Sequence, residues 1–110
     1  MQAAVVELAH RLGYLCAHFN PAQVRGGRWA TPVSADAAGF PDLILAHTNP
    51  GTVAIAAELK TDVGRVSEQQ HRWLDALDAS GLYAVVWRPR DWHAGTVEET
   101  LRAMAGKRAA

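Results

Sequence analysis

The chain carries one cysteine, Cys16, which excludes an internal disulfide and a Cys-rich zinc site. A reducing compartment fits. Net charge is also lacking, because eleven Lys and Arg balance eleven Asp and Glu. No bulk positive field draws nucleic acid or anionic lipid to the whole surface, so any polyanion must be met locally. No apolar run approaches the roughly 20 residues of a membrane span, and no charged segment leads into an apolar one at the N-terminus. The expectation is a cytoplasmic protein with no membrane partner. Internal repeats and low-complexity tracts are missing too. What is present is ordinary: 49% hydrophobic and 20% charged residues over 110 positions imply one globular domain, residues 1–110, not a disordered, collagen-like or coiled-coil chain.

Val5, Leu8, Ala9 and Leu12 recur at helical spacing between Ala3 and Leu12, with Gly13 where a C-terminal cap would sit. Tyr14 to Phe19 is a short buried strand stopped by Asn20 and Pro21. Residues 20–39 show no sustained period and form a long loop. Leu43 to Ala46 and Val53 to Leu59 are strands on either side of Asn49, Pro50 and Gly51, which implies an antiparallel hairpin. Ser67 opens a second helix with an apolar face at Trp73, Leu74 and Leu77, ending near Ser80 and Gly81. Tyr83 to Trp87 is a fourth strand closed by Pro89, and Trp73 and Trp87 fall at core positions. A weak C-terminal helix follows from Thr96 to Met104, then a frayed tail over residues 106–110. The fold class is α/β, a mixed sheet flanked by helices.

If the hairpin turn centres on Pro50, paired residues have numbers summing to about 100, which sets Asp42 opposite Glu58. Alternation puts Glu58 and Lys60 on one face and Val53, Ile55, Ala57 and Leu59 on the other. Two carboxylates facing across a strand pair repel, so something must compensate them. A Mg²⁺ ion is suited to the task, since it takes one or two carboxylates and keeps waters for a phosphate substrate. The backbone carbonyl of Leu59 is a further candidate ligand, and Lys60 is placed to orient or deprotonate a water or to offset phosphate charge. Without a ligand, the same three charges form a solvated strand end in which Lys60 pairs with an acid.

Pro41 and Asp42, the triplet Glu58, Leu59 and Lys60, and the order helix, three strands, helix, strand resemble the PD-(D/E)XK nuclease superfamily. Gly39 to Leu43, Glu58 to Thr61, Gly64, Arg65, Ser67, Gln70, Trp73, Leu74 and Gly81 resemble its VRR-NUC group, including small stand-alone members of phage type. The resemblance implies a restriction-endonuclease-like core and a Mg²⁺- or Mn²⁺-dependent endonuclease that hydrolyses DNA. Asp42 and Glu58 would hold the metal, Lys60 would assist the water, and Gln70 would orient the water or the metal site. It further implies branched DNA such as Holliday junctions as substrate, a homodimer, and a bacterial or phage-infected host cell. The alternative is a non-catalytic DNA-binding or assembly module that retains the nuclease fold.

Gln70 has a second reading, because Ser67 and Gln70 have the spacing of a capping box. Glu7 is the one carboxylate available on the first helix for the acidic position that many members use there. It lies opposite the apolar stripe and four residues before Arg11, the arrangement of a solvent-exposed ion pair. His18, Arg25, Arg28 and Ser67 are candidate substrate contacts, with Trp29 beside Arg28 able to stack on an unpaired base. Arg65 and Arg88 are placed nearer the cleft. His10, His47, His71 and His93 lack the spacing of a zinc cluster, and Cys16 is a small core residue.

Overall fold

A computed structural model describes residues 1–19 and 37–108. The elements are α1 (Gln2–Arg11), β1 (Tyr14–His18), β2 (Leu43–His47), β3 (Ile55–Leu59), α2 (Glu68–Ala79), β4 (Tyr83–Trp87), α3 (Pro89–His93) and α4 (Thr96–Ala105). The strands lie side by side in the order β1-β2-β3-β4. The first three are antiparallel, and α2 is the crossover that makes β4 parallel to β3. This is the mixed α/β sheet with flanking helices that the sequence implies.

Alternation along the strands puts Tyr14, Leu43, Leu45, Ile55, Ala57 and Trp87 on one face. There they pack with Val5, Leu8 and Ala9 of α1 and Val97, Leu101 and Met104 of α4. The Tyr14 hydroxyl donates to the Leu101 carbonyl at 2.7 Å, so the one polar atom of that ring is satisfied inside the core. The opposite face is covered over β3 and β4 by α2, which buries Leu74. At the sharp exit from α1, Gly13 has φ +96°, and a Cβ there would come within 2.8 Å of the His47 ring. His47 donates from Nε2 to the Leu12 carbonyl (2.7 Å) and accepts the Asn49 amide at Nδ1 (2.9 Å), which fastens the end of α1 to the hairpin.

Several expectations need correction. β1 is an edge strand, not a buried one: Tyr14 is buried, whereas Leu15 is 67% exposed. β3 starts at Ile55, because the Val53 amide turns away to donate to the Lys107 carbonyl at 3.3 Å. With Thr52 bridged to Arg108, the tail is pinned as far as Arg108. Pro89 does more than end β4; it opens α3, where a missing amide proton and a fixed φ suit the first helical turn. Trp73 is half-buried, not a core residue. The C-terminal helix is a principal wall of the core. Residues 20–36, with Arg25, Arg28 and Trp29, lie outside the described residues.

Candidate active site

The register Leu43↔Ala57 continues outward to put Asp42 across from Glu58, as the hairpin arithmetic requires. Three local features deliver Asp42 there. Gly39 adopts φ +88° and lies so close to α2 that a Cβ would sit 2.6 Å from Gln69 Cβ and 2.7 Å from its carbonyl carbon. Phe40 is held edge-on between Phe19 (centroids 5.2 Å apart) and Trp73 (4.9 Å). Pro41 is fully buried. Asp42 then accepts the Leu59 amide at Oδ2 (2.8 Å), which ties the peptide between Glu58 and Lys60 to the first carboxylate.

Glu58 is the one buried charged residue of the described chain, 3% exposed. Its Oε2 accepts from Gln70 Nε2 at 2.7 Å and pairs with Lys60 Nζ at 3.2 Å. Its Oε1 is buried with no partner. Burial pushes the Glu58 carboxyl above the usual carboxylate range, the negative charge of Asp42 pushes it further, and Lys60 pulls it partly back. A buried acid with one orphaned oxygen beside a second carboxylate is an unfavourable arrangement unless something binds it.

The donor set says what fits. Among the described residues, no three His, Cys, Asp or Glu come together, so nothing resembles a closed zinc cage. Two carboxylates match Mg²⁺ or Mn²⁺, hard cations that retain waters where protein ligands are few. The orphaned Oε1 is the atom such an ion would satisfy.

Residues 25–91, more than half of the chain, match the VRR-NUC domain. The chain belongs to the VRR-NUC family. No curated protein and no solved structure matches it. Membership carries a nuclease-type, DNA-related function, in a family that generally uses divalent metals. The matched stretch takes in β2, β3, α2 and β4, the elements that assemble Asp42, Glu58, Lys60 and Gln70; α1, β1 and α4 lie outside it and complete the VRR-NUC core.

In this VRR-NUC domain the capping box at Gln70 forms, and the other end of the same side-chain amide reaches Glu58. Gln70 Oε1 accepts the Ser67 amide at 2.8 Å while Ser67 Oγ accepts the Gln70 amide at 3.1 Å, completing the capping box. Gln70 Nε2 is thereby aimed at Glu58. Ser67 acts here as the N-cap of α2. Glu7 is exposed on α1 and forms no ion pair with Arg11 or with any other described residue. The structure therefore does not bring Glu7 to Asp42 and Glu58. His18 ends β1 opposite Leu43, and alternation turns it to the face away from Asp42. Cys16 is half-buried against the core, and burial pushes its thiol up, which opposes reactivity. Gly39 and Phe40 are the positioning residues that spacing alone did not single out; the left-handed φ and the close approach to Gln69 have no signature beyond the glycine itself.

Proposed function

We propose that the protein is a metal-dependent endonuclease that hydrolyses phosphodiester bonds in DNA, with Asp42 and Glu58 as carboxylate ligands of Mg²⁺ or Mn²⁺ and the Leu59 carbonyl as a backbone ligand. The observation that carries this reading is the unpartnered, buried Oε1 of Glu58, on a carboxyl that feels the negative charge of Asp42. A bound divalent cation supplies a water of lowered pKa and Lewis-acid stabilisation of charge on the phosphate. Lys60 is ion-paired with Glu58, which suits it to orient the attacking water and to offset negative charge on the phosphorane oxygens. Gln70 holds Glu58 in place and, through the capping box, locks α2 to the site.

Branched DNA is the proposed substrate class and a homodimer the proposed state, because a small neutral domain offers little surface to grip a branched duplex, whereas a two-fold assembly presents two sites. Arg25, Arg28 and Ser67 remain proposed substrate contacts, whereas His18 and Glu7 are set aside, because His18 faces away from Asp42 and no third acid joins Asp42 and Glu58 among the described residues. The test is cleavage of duplex, single-stranded and four-way junction DNA in Mg²⁺, Mn²⁺ or EDTA. Asp42→Ala and Glu58→Ala should each abolish metal-dependent cleavage. Undiminished cutting by both purified variants would refute the assignment, and binding without cut products would favour a non-catalytic module. Light scattering that finds monomer alone at working concentration would remove the dimer.

A further inference from the structure

Just beyond Lys60 the chain makes a tight turn, with the Gly64 amide donating to the Thr61 carbonyl at 3.3 Å. Central turn positions favour Gly, Asn, Asp or Ser. Here they hold Asp62 and Val63, and Val63 is 90% exposed, more than any other large hydrophobic residue described. A lone exposed apolar side chain needs no explanation by itself. The turn beneath this one sets it apart, because it is braced from the body of the domain. Arg88 Nη1 donates to the Thr61 carbonyl (2.6 Å) and the Gly64 carbonyl (2.7 Å), and the Arg90 amide donates to Asp62 Oδ1 (3.2 Å). A Cβ on Gly64 would meet Thr61 Oγ1 at 2.9 Å and Lys60 Cδ at 3.6 Å, so the turn lies against the stem of the site lysine. A β-branched side chain, stiff at χ1, is thus held out in water on a turn braced by three hydrogen bonds from the domain and adds nothing to the core.

Charge around the tip has a consistent direction. The carboxylates of Asp62 and Asp91 are turned inward onto the backbone amides of Arg90 and Arg88. Arg65 and Arg90 are exposed and form no ion pair among the described residues. Val63 stands three positions beyond Lys60, a span of at most about 11 Å, or roughly three steps of a stacked duplex.

We infer that the Thr61–Gly64 turn is a DNA-contacting element, in which Val63 packs against an unstacked base beside the scissile phosphate while Arg65 and Arg90 hold the flanking backbone phosphates. The inference rests on the nuclease reading and deepens it. Apolar side chains wedge between base steps in this way when cations anchor the backbone, and unstacking is least costly where a base is already unpaired. A branch point or an end would therefore be favoured over continuous duplex.

The experiment uses the full chain, with four-way junction DNA carrying 2-aminopurine at the branch. In Ca²⁺, binding of wild type and of Val63→Ile should raise 2-aminopurine fluorescence. Val63→Ser, and Val63→Thr with nearly the shape of valine, should bind without that rise. In Mg²⁺, both polar variants should raise KM for the junction about tenfold with kcat held within about twofold, and their melting temperatures should match wild type. Polar variants equal to wild type in fluorescence and KM, on a junction that wild type does cleave, would overturn the inference and leave the nuclease reading standing. A wild type that neither binds nor cuts any DNA would sink both.

Discussion

Glu58 is asked to be charged where charge is disfavoured. Its carboxyl is raised by burial and by Asp42, so the folded protein binds that proton more tightly than the unfolded chain does. The stabilising contribution is fully present below the ordinary glutamate pKa and is lost as pH rises through the raised value. Metal-free protein should therefore lose stability over that interval, and Glu58→Gln should flatten this part of the profile; denaturant midpoints measured across pH in EDTA check it. Mg²⁺ should oppose the loss, because it binds the carboxylate form. Asp42→Asn removes the second negative charge and should lower the Glu58 titration, read from the side-chain carboxyl carbon by NMR. An unmoved titration would mean that the two acids do not share a field. Gln70→Ala removes the side-chain acceptor for the Ser67 amide and the donor to Glu58, while the Ser67 cap on the residue 70 amide stays, so it should destabilise by about 2 kcal/mol and slow cleavage, separable as a lower melting temperature and a lower kcat in thermal melts and turnover assays.

At the scale of elements, the site is a hairpin docked on the N-terminus of a helix. The close approach of Gly39 to Gln69 fixes the distance between them. Gly39→Ala imposes a left-handed φ on a residue with a Cβ and drives that Cβ into α2 backbone, so it should cost about 2 kcal/mol or more. It should also displace Asp42 from the Leu59 amide. The expected result is a lower melting temperature together with weaker Mg²⁺ binding by calorimetry; normal metal affinity would show that the approach is merely structural. How much of this was legible follows from what each interaction needs. The pairing of Asp42 with Glu58 follows from a turn centre and a two-residue period, both written in the residues. The Ser67 and Gln70 box follows from a local spacing. The third bond of Gln70 does not, because it depends on the angle at which α2 lies on β3. The displacement of Val53 toward Lys107 also escaped, since it depends on where a distant tail docks. α3 was hidden because proline both ends strands and begins helices, and only the inward turn of Asp91 to the Arg88 amide decides between them.

On the scale of the whole molecule, the residues proposed to bear the chemistry and the residues that bear the fold are different sets. The family match ends at residue 91, while Val97, Leu101 and Met104 of α4 wall the core against α1. α4 owes its burial to packing against α1 and to the Tyr14 hydroxyl on the Leu101 carbonyl, long-range contacts that its own ten residues do not announce. A chain cut after Asp91 keeps every proposed ligand yet loses that wall, exposing Val5, Leu8 and Tyr14 and orphaning the tyrosine hydroxyl. It should fail to fold, with no cooperative thermal transition by circular dichroism. Leu101→Ala tests the same dependence more gently. It opens a cavity beneath a fully buried side chain and should cost about 2–5 kcal/mol. Because only the folded state can unite Asp42 and Glu58 around a cation, saturating Mg²⁺ should recover part of that loss, by about 2.7 kcal/mol at a hundred times its dissociation constant. The recovery should vanish when Asp42→Asn is added. A melt in which Mg²⁺ lifts single and double variants equally would show that the ion binds elsewhere, and that the core built by α4 and the pair of acids on β2 and β3 are not coupled through a metal.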